Sequence, residues 1–355
     1  MGAEHHGHGH IHDTYLTTFR GDDGSTHRYI LQKVNQYVFK DPVGLMKNIQ
    51  AVTSHLREKI IQAEGDPARE TLNLVPIGEG GYLHQTENGD YWRGFLFIEN
   101  AQSYQVPQNP AQVYHAGKAY GNFQKLLADF PAEELIETIP DFHNTPKRYQ
   151  NLNEAVQRDS HQRARNAETE IAFAMEREGD ASLLVDRLAS GELPQRVTHN
   201  DTKFNNVLID DDTGEGVCVI DLDTVMPGLS GYDFGDAIRS IANKGAEDEG
   251  DFDKVGVDLG YFESFTQGFL DATRDFLSAT EIELLPQAAR MMTLENSVRF
   301  LTDYLEGDVY YKIAYKDHNL VRCRSQFKLV ADLEQKMGEM RSIVGRHQRG
   351  EFFLG

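Results

Sequence analysis

Near the middle of the chain, two short runs of β-branched apolar residues flank a turn that contains glycine. The runs occupy positions 207–209 and 217–220, and this pattern predicts an antiparallel pair of strands. A polar loop that carries Asp201 and Asn206 precedes the first run, and Asp221 follows the second. The predicted pairing therefore brings proton-handling and metal-binding side chains to one end of the strand pair.

The spacing of these polar residues meets the needs of phosphoryl transfer. One carboxylate must accept the proton of the attacking hydroxyl, while an amide oxygen and a second carboxylate hold Mg²⁺. The order His-x-Asp-x-x-x-x-Asn, followed by a strand and an aspartate, supplies these groups as kinases do. We assign Asp201 as the catalytic base, and Asn206 and Asp221 as Mg²⁺ ligands. The alternative, an acidic loop of solvated carboxylates, does not explain the agreement of residue types, spacing and strand pattern.

A second aspartate motif follows this segment. Asp233-Phe234-Gly235 spells a metal-binding tripeptide of protein kinases, but it comes after prolines and glycines rather than after a strand. Asp221 is therefore the better metal ligand. We interpret Asp233 and Asp236 as residues that brace the catalytic loop by hydrogen bonds, or that cap a helix over about 235–244.

Apolar periodicity in the rest of the chain predicts strands first and helices afterwards. The predicted strands cover 14–19, 28–34, 72–76, 82–85 and 91–98. One predicted helix begins at Pro42, and three more cover 111–129, 261–276 and 281–304. A chain of 355 residues with this order of elements fits two lobes of unequal size.

Composition and charge exclude several classes of partner. The net charge of −21 argues against nucleic acid and anionic membranes, because both bind basic surfaces. No run of about eighteen apolar residues predicts a membrane span. Two cysteines give no disulfide framework and no signal peptide is visible, so a cytoplasmic location is expected. The acidic run 246–253 is interpreted as a solvated surface, and the oligomeric state is left open.

The His-Asn-Asp, Asn and Ile-Asp-Leu-Asp series resembles the aminoglycoside phosphotransferase and choline kinase superfamily. Segments 9–15, 119–124, 139–143 and 299–308 are similar to the bacterial N-acetylhexosamine 1-kinases, and the resemblance covers essentially the whole chain. It implies an α+β, two-lobed protein-kinase-like fold. The small β-rich nucleotide-binding lobe is expected over 1–100, ending in the hinge, and the larger, mainly helical catalytic lobe over 101–355. The implied reaction transfers phosphate from ATP, with Mg²⁺, to the anomeric hydroxyl of an N-acetylhexosamine.

The nucleotide is expected to lie between the lobes. Gly7 and Gly9 precede a strand, as in a loop whose backbone amides approach phosphate oxygens. In a kinase fold, Lys33 would reach the phosphates, although a surface lysine is the alternative. The resemblance places the hinge near Glu99 and Ala101, where backbone groups would bind adenine.

Two features of the small lobe stay open at the sequence level. Lys40 is the rival of Lys33, and Glu58 is a candidate carboxylate to position the lysine. Kinase-like small lobes also have a strand before the glycine-rich loop, whereas this chain begins almost on the loop. Either that strand is dispensable, or the native chain begins further upstream.

The resemblance also implies an acceptor pocket. The residues expected to contact the acceptor are His10, Asp223, Arg299, Asp303, Tyr304 and Tyr310. Arg299 and Asp303 share one helical face, a spacing that a surface ion pair would explain equally well. An exposed loop position is the alternative for His10. An anomeric hydroxyl is more acidic than an ordinary alcohol, so a carboxylate base is adequate for its phosphorylation.

Two other functions compete with sugar phosphorylation. The first keeps the mechanism but changes the acceptor to an aminoglycoside, a choline- or ethanolamine-like amine, or homoserine. Acid-lined walls around His143 and Tyr310 would favour such a cationic acceptor. The second is a nucleotide-binding pseudokinase that acts as a regulatory partner, which the intact Asp201, Asn206 and Asp221 argue against.

Overall fold

The computed structural model describes residues 2–6, 11–21, 23–77 and 80–350. Its N-terminal part is an antiparallel five-stranded sheet with the order β1-β2-β3-β5-β4. The strands are β1 (Gly2–His5), β2 (Asp13–Arg20), β3 (Thr26–Lys33), β4 (His84–Gln85) and β5 (Tyr91–Leu96). Helix α1 (Pro42–Gln62) follows β3. It begins where Asp41 accepts a hydrogen bond from Gly44 N, with proline in the first turn.

The first strand corrects one expectation. Gly2–His5 pairs antiparallel with β2, in a register that joins Gly2 to Thr18 and His5 to Tyr15. The prediction that no strand precedes the glycine-rich loop is therefore wrong. The reason is that all four residues of β1 are exposed, so backbone pairing forms the strand and no apolar alternation marks it in the sequence.

The remainder of the chain forms the larger lobe. Its helices are α2 (Pro110–Leu126), α3 (Thr145–Arg158), α4 (Glu168–Met175), α5 (Leu183–Ala189), α6 (Ser230–Ile241), α7 (Leu259–Thr273), α8 (Ala279–Glu283), α9 (Leu285–Leu305) and α10 (His318–Gln348). Its short strands are β6 (Ala101–Gln102), β7 (Arg196–Thr198), β8 (Val207–Asp210), β9 (Gly216–Val219) and β10 (Met226–Gly228). A sheet-containing lobe joined to a helical lobe confirms the predicted α+β class.

Most predicted elements lie where the periodicity placed them, with two differences. The predicted strand over 72–76 makes only an isolated bridge from Leu74 to Phe95. The predicted helix over 281–304 is divided between α8 and α9, which meet at Leu284 just before Pro286. Proline has no N–H to continue a helix from the preceding turn, so the chain starts a new helix there.

Helices α2 and α7 cross at very short range and support the catalytic segment. A Cβ atom added at Gly268 would lie 2.0 Å from Tyr114 O, and one added at Gly117 would lie 2.3 Å from Phe265 O. Only glycine permits this approach. Helix α2 also meets the catalytic loop, because Tyr120 donates a hydrogen bond to Lys203 O at 2.6 Å. Within the described ranges, no helix is long and apolar enough to cross a membrane.

Candidate active site

The catalytic loop follows β7, and side chains in the first two turns of α6 accept hydrogen bonds from its backbone. Asp233 accepts hydrogen bonds from His199 N at 3.0 Å and from Asn200 N at 2.7 Å. Asp236 accepts one from Thr202 N at 2.9 Å. The predicted bracing role of both aspartates is confirmed. The capping alternative is wrong because α6 already begins at Ser230.

Asp201 lies in this loop and faces two partners. Lys203 Nζ is 2.8 Å from Asp201 Oδ1. Asn206 Nδ2 donates to Asp201 O at 2.9 Å and lies 3.3 Å from its Oδ2. Burial raises the pKa of Asp201, but the charge and hydrogen bond of Lys203, followed by the charges of His199 and Arg239, hold the pKa below its usual range. The carboxylate is therefore ionised at neutral pH, as a base must be.

Lys203 is a site residue that the sequence reasoning missed. It lies two positions after Asp201, so its spacing from the predicted base was the available signal. The acidic run 246–253, for which the sequence predicts a solvated surface, also lies close enough to Lys203 to act on its charge. Glu247 of that run forms an ion pair with Arg239, and its charge influences Lys203. Asp248 pairs with His318 at 2.9 Å. The interpretation of the run as purely solvated is therefore wrong.

Asp221 has the environment expected of a metal ligand. It follows β9 in a left-handed conformation with φ of 60°, and it makes no hydrogen bond or ion pair with any described residue. Burial, then the negative charges of Asp223 and Asp201, raise the pKa of Asp221 to about 7. Because the Asn206 amide N–H is turned toward Asp201, its Oδ1 is available as a second oxygen ligand. An unpaired carboxylate beside an amide oxygen suits Mg²⁺, whose remaining ligands would come from nucleotide phosphates and water.

Asp223 is bound by a cation from the small lobe. The guanidinium of Arg93, on β5, donates to both carboxylate oxygens, with Nη2 at 2.7 Å from Oδ2. His12 Nε2 lies 2.5 Å from the same oxygen. Burial raises the pKa of Asp223, but Arg93 and His12 together lower it well below its usual range. We call Arg93, His12 and Asp223 the cross-lobe clasp. These contacts commit Asp223 to the small lobe, which corrects its expected contact with the acceptor.

Lys33 and Arg93 lie on opposite faces of the sheet. Gln32 on β3 accepts hydrogen bonds from Arg93 Nε and Nη2, at 3.0 and 2.9 Å. Successive side chains on a strand point to opposite faces, so Lys33 points away from the clasp, and its Nζ lies 2.9 Å from Asp90 Oδ2. Its expected place at the phosphates is therefore corrected, since Arg93 is the buried cation of the small lobe that meets Asp223. Lys40, the rival, lies over the ring of Tyr37.

The hinge segment leaves one backbone group free on its open side. Asp211 N donates to Asn100 O at 3.0 Å, which makes 100 and 211 a hydrogen-bonded pair. The next pair, Ala101 and Asp210, is then non-hydrogen-bonded, so the N–H of Ala101 points away from β8. Glu99 uses its side chain to bind Arg28. Of the other predicted contacts, Gly7, Gly9 and His10 lie outside the described residues.

Arg299 lies in an aromatic cage at the expected acceptor side. Its guanidinium carbon is 5.1 Å from the ring centre of Phe142, 5.9 Å from that of Tyr310 and 5.7 Å from that of Tyr311. The described residues give it no hydrogen-bond partner. Tyr310 is half exposed and stands at the rim. The structure thus places Arg299 beside Tyr310, and the contact of both residues with the acceptor stays a prediction.

Asp303 and Tyr304 belong to the framework and not to this cage. Asp303 accepts hydrogen bonds from the N–H groups of residues 309, 310 and 311, and from Asn319 Nδ2. With four donors, its carboxylate has no free lone pair for an acceptor. Tyr304 is buried under Arg163. The expectation that both residues contact the acceptor is corrected, because the chain after α9 folds back over Asp303.

Comparison with known proteins identifies the family. The catalytic loop and the β8–β9 pair lie within residues 3–262, which match the model of the phosphotransferase enzyme family, APH. A microcompartment-associated aminopropanol kinase has a similar structure, with a TM-score of 0.57 and 14% identity over 96% of this chain and 93% of that one. An aminoglycoside phosphotransferase from Alicyclobacillus acidocaldarius has a TM-score of 0.58 and 11% identity over 99% of this chain and 93% of that one. A choline kinase from Cryptosporidium parvum has a TM-score of 0.57 and 11% identity over 98% of this chain and 93% of that one.

These findings confirm the resemblance to the aminoglycoside phosphotransferase and choline kinase superfamily. At such low identities the structural likeness shows a common fold and says nothing of the substrate. The family model covers most of the chain, including Asp201, Asn206 and Asp221. The chain therefore belongs to the phosphotransferase enzyme family.

Proposed function

We propose that this protein is an ATP- and Mg²⁺-dependent kinase that phosphorylates the anomeric hydroxyl of an N-acetylhexosamine. The observation that carries the choice of acceptor is the charge of the wall around Arg299. Burial and then the charge of Arg299 lower the pKa of Arg148, so the two guanidinium groups lie close together. Neither arginine is paired with a carboxylate among the described residues. Glu295, the nearby acid, gives its two oxygens to His143 Nδ1 at 2.8 Å and Thr145 Oγ1 at 2.7 Å.

A positively charged wall disfavours the amine acceptors named for the structural relatives. A unit charge 4 Å from a guanidinium interacts with about 4 kcal/mol at an effective dielectric constant of 20, and here the interaction would be repulsive. The carboxylates beside His143 and Tyr310 are those of Glu295 and Asp303, and both already accept hydrogen bonds from neighbouring groups of the protein. A neutral sugar with hydroxyl and acetamide oxygens supplies acceptors for the arginine donors.

The chemistry follows from the positions of the catalytic residues. Asp201 accepts the proton of the attacking hydroxyl, and Lys203 keeps that carboxylate ionised. Asn206 and Asp221 would hold the metal ion, which neutralises charge on the transferred phosphate. The free N–H of Ala101 supports adenine binding at the hinge. These intact groups argue against a pseudokinase. We retain residues 1–100 and 101–355 as the proposed lobes, and a reducing cytoplasm as the setting because Cys218 and Cys323 are free and buried.

The test is release of ADP from purified protein with ATP and Mg²⁺. The panel contains N-acetylglucosamine, N-acetylgalactosamine, glucose, choline, homoserine and kanamycin. We expect turnover with the N-acetylated sugars and none with their methyl glycosides, in which the anomeric oxygen is blocked. Turnover confined to choline or kanamycin would contradict the proposal, and so would activity on a methyl glycoside.

A further inference from the structure

Four buried polar atoms without a hydrogen-bond partner belong to residues near Arg299, on α3, α9 and the segments that flank them: His143 Nε2, Arg148 Nε, Asn296 Nδ2 and Tyr311 Oη. We call these four residues, with Arg299, the donor cluster. The other such atoms of the described residues are on Thr71, Arg187 and Gln326, in other parts of the chain. Native proteins pair the great majority of their buried polar groups, so a group of orphans in one place calls for an explanation. A ligand that supplies the missing partners explains them all together.

The chemistry of the donor cluster defines what that ligand must offer. Arg148 Nε and Asn296 Nδ2 can only donate hydrogen bonds, and so can the unpartnered guanidinium of Arg299. Tyr311 Oη can donate or accept. His143 donates through Nδ1 to Glu295, so its Nε2 accepts when the ring is neutral and donates when it is charged. The cluster therefore requires mainly acceptor oxygens from the ligand.

The charge of the donor cluster restricts the chemistry of the ligand more than its hydrogen bonds do. Both arginines remain protonated in proteins, and Glu295 offsets only one of the two charges. The other nearby carboxylate, Glu247, is paired with Arg239, which also binds Asp236. A neutral sugar would leave Arg148 and Arg299 without a directly paired carboxylate, whereas a carboxylate on the ligand would pair with them and accept a two-pronged guanidinium contact.

We propose that the preferred acceptor is an acidic N-acetylhexosamine, whose ring carries a carboxylate that Arg148 and Arg299 bind. This inference rests on the proposed sugar kinase function and refines its substrate class. The carboxylate is held away from the reacting hydroxyl and takes no part in bond making. The reaction stays the same: the anomeric oxygen forms a bond to the γ-phosphorus, ADP leaves, and Asp201 receives the hydroxyl proton.

The donor cluster lies close to the catalytic loop and beneath a closing segment. The rings of His143 and Tyr232 are 5.0 Å apart, and Tyr232 immediately precedes the loop-bracing Asp233 on α6. Tyr310 and Tyr311 cover Arg299, and Tyr37 of the small lobe donates to Val309 O at 3.4 Å. Because the orphan atoms have almost no access to solvent, entry of the acceptor requires segment 309–311 to move.

The test compares matched sugars with the wild-type enzyme. The neutral sugar is N-acetylglucosamine, and the acids are its C6 carboxylate and its 3-O-carboxyethyl ether, each assayed for ADP release with ATP and Mg²⁺. We expect kcat/KM for at least one acid to exceed that for the neutral sugar by about tenfold or more, mainly through a lower KM, as a charged hydrogen bond allows.

Variants then locate the effect. Arg148→Met should lower kcat/KM for the acid by much more than it lowers kcat/KM for the neutral sugar, so that most of the preference for the acid is lost, and Arg148→Lys should retain part of the preference because it keeps the charge. The matched control is Lys147→Met, which removes a neighbouring positive charge whose Nζ contacts Gln150 Oε1 at 3.0 Å. A purely structural role for Arg148 would lower activity on both sugars equally. Folding is checked by thermal unfolding of each variant.

The possible results distinguish failure of the acidic acceptor from failure of the proposed sugar kinase function. Turnover of N-acetylglucosamine with equal or lower kcat/KM for both acids would overturn the acidic acceptor and leave the sugar kinase intact. Turnover of choline or kanamycin, with none of any sugar, would overturn both. A preference for acids that survives unchanged in Arg148→Met and in Arg299→Met would show that the carboxylate binds elsewhere, which also overturns the proposal.

Discussion

The catalytic loop and the donor cluster are both polar and largely buried, but their hydrogen bonds differ. In the loop, Asp233 and Asp236 accept hydrogen bonds from three backbone N–H groups, and Asp221 nearby has no partner among the described residues. In the donor cluster, several side chains end in orphan atoms. The loop is thus built by the protein itself, whereas the cluster is completed by what it binds.

This difference separates the reaction from the choice of acceptor within this chain. The catalytic loop is stabilised by contacts within the large lobe, so its geometry does not depend on the acceptor. The donor cluster is formed by side chains of α3, α9 and the segments that flank them, none of which supports Asp201 directly. Substitutions there can alter the acceptor without disturbing the base, and the following predictions test that separation.

The largest effect is expected from Asp201→Ala. Removing a general base typically costs about 10²- to 10⁴-fold in rate, because the hydroxyl must then attack without proton transfer. We expect kcat to fall by that amount while nucleotide affinity changes little, measured by a fluorescent nucleotide titration. The matched control is Asp212→Ala, in the exposed turn between β8 and β9. Near wild-type turnover in Asp201→Ala would refute the assignment of the base.

The second prediction concerns metal binding by Asp221. A carboxylate binds the metal when deprotonated, and the pKa of Asp221 is raised to about 7. Affinity should therefore be highest above pH 7 and should fall by up to about tenfold per unit below it, as protons compete with the metal. Mn²⁺ binding at pH 6, 7 and 8, followed by electron paramagnetic resonance with a non-hydrolysable ATP analogue, measures this.

Asp221→Asn provides the control for that pH dependence. The amide cannot titrate, so the variant should bind Mn²⁺ weakly at all three pH values. A pH dependence that persists in the variant would assign the titration to another group.

Contacts between residues that are close in the sequence could be predicted, whereas contacts between distant residues could not. Asp201 and Asn206 are five positions apart in one loop, and the apolar runs around the following turn specify a hairpin that delivers Asp221. Such short-range geometry follows from periodicity and turn chemistry. The cross-lobe clasp could not be predicted in this way, because Arg93 and Asp223 are 130 positions apart.

The remaining wrong predictions, for Lys33 and Asp303, depend on which face of a strand or helix each side chain occupies and on what covers that face. Lys33 and Gln32 are neighbours on β3, and only the pairing of Gln32 with Arg93 decides which of them faces the clasp. Asp303 and Arg299 share a helical face, but the chain after α9 turns back and uses Asp303 for its own backbone. A sequence shows which residue types are present on a face, whereas the next segment of chain decides which of them remain free.

The third prediction separates Lys203 from the base that it accompanies. Lys203 lowers the pKa of Asp201 against the opposing effect of burial. In Lys203→Met, burial is opposed only by the charges of His199 and Arg239, so the pKa of Asp201 should rise and the acidic limb of the kcat/KM profile should move to higher pH. Lys203→Arg keeps the charge and should leave the limb close to its original position. An unchanged limb in Lys203→Met would show that the ion pair does not control the base.

The smallest effect, and the one confined to the acceptor side, is expected from Asp303→Asn. The substituted amide keeps one oxygen for the N–H groups of residues 309 and 310, but its NH₂ faces the N–H of residue 311 and Asn319 Nδ2, which are also donors. The mismatch should lower the free energy of unfolding by about 1–3 kcal/mol, measured by chemical denaturation. Because segment 309–311 covers Arg299, KM for the acceptor should rise while KM for ATP stays constant. Glu306→Gln, at an exposed ion pair with Arg158, should change neither quantity appreciably. An equal rise in both KM values would mean that the segment also shapes the nucleotide site, and the separation of the two regions would fail.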